Sequence, residues 1–166
     1  MDWLNYFTNI AQEVKRRSKD EHKQIGTVIV GPDHEIRSTG YNSFPRGIRD
    51  DVEARQGRED GEKYFWMEHS ERNAVYNAAR VGVSLLGCTA YLTCGVPCAD
   101  CARAFIQAGI KTVWASAADK SSNPRWQESA KRSLQMFREA GMEVLWWDYD
   151  ATRRAIQVGA GVQFGE

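Results

Sequence analysis

His69-Ser70-Glu71 and Cys98-Ala99-Asp100-Cys101 are the residues of this chain whose types and spacing can do chemistry. One imidazole and two thiolates make three ligands for zinc; structural zinc sites normally take four, whereas a catalytic site keeps its last position for water. Cys98 and Cys101 stand three apart in the first turn of an expected helix, so both sulfurs face one side. The positive end of that helix and the ion itself both favour the thiolate. Two thiolates cancel the charge of the ion, and His69 adds a neutral nitrogen from a second helix. The fourth ligand is then water, whose pKa zinc lowers to about 7. Glu71, two residues past His69, is placed to take the proton of that water rather than to bind the metal.

Each string alone has a plainer reading. His-x-Glu at a helix start is commonly a surface pair, with the glutamate facing the helix dipole. Cys-x-x-Cys in a reducing compartment fits a thioredoxin-like redox pair. The two together, each opening an expected helix, match the signature of zinc-dependent hydrolytic deamination of cytosine or adenine. Attack at C4 of cytosine requires protonation of N3 and then of the departing amine, which makes Glu71 a proton shuttle. The alternative from a different class is a zinc-stabilised binding module without turnover. His22 and His34 fall in turns and read as surface histidines; Cys88 and Cys94 read as small buried residues at the ends of a strand.

The elements that must position these residues follow from periodicity. Trp3, Tyr6, Phe7, Ile10 and Val14 recur at helical spacing behind Asp2, a cap, and predict a helix lying on the core. Residues 25–30 and 35–41 form a hairpin about the turn Gly31-Pro32-Asp33-His34. Residues 42–68 form a long irregular connection of the kind that is functional in compact domains, and it leads into His69. Small apolar residues Ala74, Val75, Ala78 and Ala79 predict a helix over 69–80 packed closely on a sheet, with Gly82 past its end. Strands over 89–93, 111–115 and 143–147 alternate with a helix from Pro97 to Gly109 and another from Asn123-Pro124 to Gly141 burying Trp126, Ala130, Leu134 and Phe137. That alternation predicts right-handed crossovers and parallel neighbours. The chain divides into a domain over 1–150 and a tail over 151–166, whose Gly159, Gly161 and Gly165 leave it without an assignable pattern.

At 166 residues the chain is one domain able to bury a core without disulfides. Lys plus Arg equals Asp plus Glu at 22 each, so no basic field exists for a long polyanion, and the expected partner is a small molecule rather than a nucleic-acid polymer. The four cysteines cluster within residues 88–101, which suits a metal site in a reducing cytoplasm. No signal pattern or membrane-length apolar run occurs, so no membrane partner is expected. Six tryptophans serve equally well in the core or at a subunit contact.

Beyond the zinc strings, a series of further motifs resembles the deoxycytidylate deaminase family within the cytidine deaminase-like superfamily. These are Arg17-Ser18-Lys19-Asp20, Gly26, Gly40-Tyr41-Asn42, Pro45-x-Gly47, Asp50-Asp51, Lys63-Tyr64, His69-x-Glu71-x-Asn73-Ala74, Pro97-Cys98-x-x-Cys101-Ala102 and Gln107-Ala108-Gly109-Ile110-Lys111. The resemblance runs from about residue 3 to residue 148. It implies an α/β, three-layer α-β-α fold with a five-stranded mixed sheet, one catalytic zinc on His69, Cys98 and Cys101, and Glu71 as proton shuttle. The implied reaction is deamination of dCMP to dUMP and ammonia; another cytosine nucleotide, a nucleoside, a free base or a modified deoxycytidylate remains open. Asn42 and Asn73 are implied to contact the sugar or phosphate, with Ser18, Lys19 and Lys120 contributing to the 5′-phosphate site. Trp66 stands where relatives commonly carry tyrosine near the base, which keeps stacking and loses a hydroxyl contact. Ser70 stands where alanine is common. The family further implies a homo-oligomer, often a hexamer, with dCTP and dTTP as allosteric effectors and Mg2+ accompanying the nucleotide. No cysteine precedes Cys88, so the additional structural zinc of some relatives is not expected.

Overall fold

One mixed sheet carries the whole architecture of the computed structural model, which describes residues 1–161. Its strands are β1 (Gly26–Val30), β2 (Ile36–Tyr41), β3 (Thr89–Leu92), β4 (Thr112–Ser116), β5 (Glu143–Tyr149) and β6 (Ala155–Ala160), in the order β2-β1-β3-β4-β5-β6. Strands β3, β4 and β5 are parallel neighbours; the β1/β2, β1/β3 and β5/β6 pairs are antiparallel. The helices are α1 (Trp3–Lys15), α2 (Lys63–Trp66), α3 (Ser70–Val81), α4 (Ala99–Ala108) and α5 (Pro124–Glu139).

Among the described residues the sheet has six strands rather than the expected five. The sixth strand arises inside the segment expected to be a tail, where residues 155–160 pair with β5 across a register shift at Trp146/Trp147. Ile156 and Val158 on this edge strand remain exposed, so it lacks the buried face that makes a strand legible. Gly165 and the rest of 162–166 lie outside the described residues.

Alternation along β1 divides the core into two layers. Val28 and Val30 join Phe7, Ala11 and Tyr91 under α1, whereas Ile29 joins Ala74, Ala78, Phe105, Val113, Leu134 and Phe137 on the other face. That second face is covered by α3, α4 and α5, which completes an α-β-α sandwich. Asp2 caps α1 by accepting the Asn5 N–H at 2.9 Å. The buried stripe of α1 is Phe7, Thr8 and Ala11; Trp3 and Tyr6, expected inward, lie outward at 51% and 43% exposure. Gly26 sets this packing, because a Cβ there would stand 2.4 Å from the Ala11 carbonyl oxygen. Asn5 on α1 clasps the far edge of the chain: its amide donates to the Ala155 carbonyl at 2.9 Å and accepts the Ala155 N–H at 2.7 Å.

Gly40 performs the same service for α3. A Cβ on it would stand 2.2 Å from the Ser70 carbonyl oxygen and 2.4 Å from the Ala74 nitrogen, so the helix lies directly on β2. Helices α3 and α4 both end at glycines in the left-handed region, Gly82 at φ 73° and Gly109 at φ 80°. The 42–68 connection is ordered by a short 3-10 turn at Glu53–Arg55, by α2, and by reciprocal Ser43 and Glu68 backbone bonds at 3.1 and 2.8 Å. Among the described residues no helix is long and apolar enough to cross a membrane.

Candidate metal centre and active site

His69 and Cys98 are the N-cap residues of α3 and α4, both in extended conformation, and neither uses its side chain to cap its helix. Both side chains turn instead toward a common point. His69 Nδ1 lies 3.5 Å from Cys98 Sγ and 3.4 Å from Cys101 Sγ, and the three donor atoms lie within 4.8 Å of one another. Zinc bonds of ordinary length in a tetrahedron place a nitrogen and a sulfur about 3.6 Å apart, so these donors fit a zinc ion. Two helix N-termini converge here, and their partial positive charge favours the thiolates the metal needs.

The titration of the metal-free cluster favours one thiolate and opposes the second. The Cys98 thiol is pulled down to about 4, first by its hydrogen bond with Cys101 and then, against burial, by His69. Cys101 is pushed up, because the Cys98 thiolate and burial both oppose a second charge. Burial pulls His69 down, but the Cys98 hydrogen bond and the Glu71 charge outweigh it and leave the imidazole raised.

Glu71, only 3% exposed, lines the same cleft as His69 and Cys98. Its Oε2 accepts a hydrogen bond from Ser70 Oγ at 2.8 Å, and Ser70 Oγ lies 2.9 Å from Thr27 Oγ1 on β1. Its Oε1 has the Cys94 thiol 3.9 Å away. Burial and the Glu71 charge hold that thiol well above its ordinary pKa, so it is neutral and a weak donor. Cys88 is buried as well, and His22 and His34 are exposed.

The cleft holds about 1260 Å³ beside the ends of β3 and β4. Its apolar wall includes Tyr64, Met67, Val96 and Trp126, with the Trp126 ring 6.1 Å from the His69 ring and 5.7 Å from Tyr64. Trp126, read from sequence as part of the buried face of α5, is thus a cleft residue. Trp66 lies apart from this lining; its indole N–H donates to Glu62 at 2.9 Å, and the Arg55 guanidinium sits 4.0 Å over its ring.

The other candidates divide in the same way. Asn42 lines the cleft, but its amide is committed to the protein, accepting the Ile25 N–H at 2.7 Å and donating to Asp20 at 2.7 Å and the Lys23 carbonyl at 2.8 Å. Asn73 donates to the Tyr41 carbonyl at 2.9 Å and Ser43 Oγ at 3.2 Å, tying α3 to the end of β2. Ser18 is buried and donates to the Asn42 carbonyl at 2.7 Å. Lys19 is exposed and pairs with Asp50 at 2.7 Å. Lys120 lines the cleft. Arg58, Lys23, Lys63 and Lys131 also line it, with Lys23 paired to Asp119 and Lys63 to the buried Asp20. Burial pushes the Asp20 carboxyl up, but the Lys63 ammonium and the His22 and Lys23 N–H groups outweigh it and leave the group below its ordinary pKa.

Comparison with known proteins places these features in a family. Residues 1–117 match the cytidine and deoxycytidylate deaminase zinc-binding region. A protein of Aliivibrio fischeri, named an uncharacterized deaminase in the luxG 3′ region, is 36% identical over 148 residues, covering 89% of this chain and 95% of its own. Human deoxycytidylate deaminase is 37% identical over 116 residues, covering 68% of this chain and 64% of its own. The probable deoxycytidylate deaminase of Caenorhabditis elegans is 43% identical over 110 residues, covering 65% of this chain and 54% of its own. The chain thus spans a little over half to two thirds of the length of these two relatives. The crystal structure of dCMP deaminase from the cyanophage S-TIM5, in complex with dCMP and dUMP, superposes with a TM-score of 0.66 over 85% of this chain and 93% of its own, at 21% identity, which establishes the shared fold. From the matched region, which includes all three donors and Glu71, the chain belongs to the cytidine and deoxycytidylate deaminase zinc-binding family.

Proposed function

We propose that this protein hydrolyses dCMP to dUMP and ammonia, supplying the precursor of thymidylate. The observation that carries the reading is the buried carboxylate of Glu71 in the cleft that also receives His69 and Cys98. The human relative named deoxycytidylate deaminase and the phage enzyme crystallised with dCMP and dUMP support the choice of substrate.

His69, Cys98 and Cys101 would hold a zinc ion, which would supply a Lewis acid able to bring the pKa of a water to about 7. The Ser70 hydroxyl fixes Oε2 of Glu71 and leaves Oε1, beside only a neutral thiol, as the oxygen that carries protons. Glu71 accepts a proton as water attacks C4 and donates it to N3; it then takes the proton of the new C4 hydroxyl and passes it to the amine, which leaves as ammonia when the C4–N bond breaks. Tyr64, Met67, Val96 and Trp126 supply apolar surface for the pyrimidine. Lys120 and Arg58, without ion-pair partners among the described residues, are the cleft cations available to a 5′-phosphate. Both amide hydrogens of Asn42 are used within the protein, whereas its Oδ1 accepts one N–H and keeps a second acceptor position for a sugar hydroxyl.

The test is a substrate screen on the zinc-loaded protein, following loss of cytosine absorbance and identifying the product. The expected order puts dCMP ahead of deoxycytidine, cytidine, dCTP and base-modified deoxycytidylates. Strong preference for an unphosphorylated nucleoside overturns the reading. Gel filtration and rates with dCTP, dTTP and Mg2+ test the expected hexamer and its regulation in the same preparation.

A further inference from the structure

A carboxylate flanks each half of the ligand set. Glu68 immediately precedes His69, and Asp100 stands between Cys98 and Cys101. One guanidinium joins them. Arg72 Nε donates to Glu68 Oε1 at 2.6 Å and a second guanidinium nitrogen pairs with the same oxygen, while Nη1 reaches Asp100 Oδ2 at 3.4 Å. Glu68 Oε1 also accepts the backbone N–H of His69 at 2.9 Å, so the peptide that starts α3 and the guanidinium share one anchor. The side chains of Glu68 and Arg72 are each 20% exposed, which shields their pairing from water far more than an ordinary surface ion pair; Asp100 is 60% exposed and also held by Arg103.

We propose that Arg72 is a positioning residue for the metal, fixing the separation of the α3 and α4 starts so that His69 Nδ1 meets the two sulfurs at the edge length of a zinc tetrahedron. The inference rests on the zinc reading above. Its physical basis is that the three ligands sit on two helix starts that the sheet alone does not tie together at this end. Besides the contacts among the three ligands themselves, the Glu68–Arg72–Asp100 bridge is a direct polar link between those two starts. Lysine at this position keeps a charge but not the planar fork that reaches both carboxylates.

The experiment measures the zinc dissociation constant of metal-stripped protein by chelator competition, together with the visible spectrum after cobalt(II) replacement and the thermal midpoint of the stripped form. Arg72→Leu is expected to weaken zinc about 10- to 100-fold, the range for residues that orient metal ligands, and to distort the tetrahedral cobalt spectrum. Arg72→Lys is expected to fall between Arg72→Leu and wild type. Asp100→Asn, at an exposed position that does not threaten folding, is expected to lose a few-fold. Zinc affinity unchanged within twofold in Arg72→Leu or, where that variant does not fold, in both Arg72→Lys and Asp100→Asn, overturns the proposal while leaving the metal centre intact. Failure of the wild type to bind zinc stoichiometrically overturns the metal centre and the clamp together. A purely structural role lowers the midpoint of the stripped protein with no change in zinc affinity, and that result also overturns the proposal.

Discussion

Replacing Glu71 by glutamine changes one atom and removes the proton carrier. The amide keeps an oxygen able to accept the Ser70 hydroxyl, so the hydrogen bond at 2.8 Å and the packing of a side chain only 3% exposed are retained. Positioned general acid–base groups contribute about 10² to 10⁴ in rate. The cleft offers no substitute, because its other carboxylates are engaged: Asp20 with Lys63, Glu68 with Arg72, and Asp119 with Lys23 and the Gly95 N–H. The expected loss in kcat is therefore about 10³-fold, equivalent to about 4 kcal/mol in the barrier. Zinc content by elemental analysis should stay at one per chain, and KM should change little. A Glu71→Gln protein retaining more than a tenth of wild-type kcat refutes the shuttle. One that loses its zinc shows Glu71 to be a ligand instead.

Cys98→Ala and Cys101→Ala should each lose stoichiometric zinc and lower the thermal midpoint, because metal binding is coupled to folding; full zinc content in both shows the ligands to be misassigned. Gly40→Ala should cost about 1–3 kcal/mol in urea unfolding, since the new methyl drives α3 off β2, and it should lower kcat as well because His69 and Glu71 ride at the start of that helix; wild-type stability counts against the close packing. Lys63→Met should cost about 3 kcal/mol, the low end for breaking a buried ion pair, because the Asn42 amide and two N–H groups still solvate Asp20. The lowered carboxyl of Asp20 contributes stability that is complete above its unfolded value of 3.8 and is lost as pH falls through the lower folded value. Asp20→Asn should accordingly flatten the decline in urea midpoint between roughly pH 5 and pH 2, and an unchanged slope rejects the assignment.

Local chemistry was legible in the sequence where one short stretch decides it. The metal strings, the cap at Asp2, the helix start at Asn123-Pro124, the glycine stops at Gly82 and Gly109, and the three parallel strands all depend on neighbours within a turn or two. What escaped depends on distant partners. Strand β6 exists because β5 offers an edge, while its own residues bury little. The face of α1 is chosen by contact with Gly26 rather than by counting apolar residues, which would put Trp3 and Tyr6 inward. Trp126 has the periodicity of a core residue, yet it stands at the first turn of α5 where the helix meets the cleft. Glu68 and Arg72 could have been noticed as a pair four apart, but their link to Asp100 needs the fold.

The double hydrogen bond between Asn5 and Ala155 spans positions 150 apart along the chain. Detaching α1 takes both Asn5 bonds from Ala155, and peeling β6 away leaves the Asn5 side chain with Asp2 alone as partner. Loosening of α1 and of β6 is thereby coupled, and a change that releases one element is felt in the other.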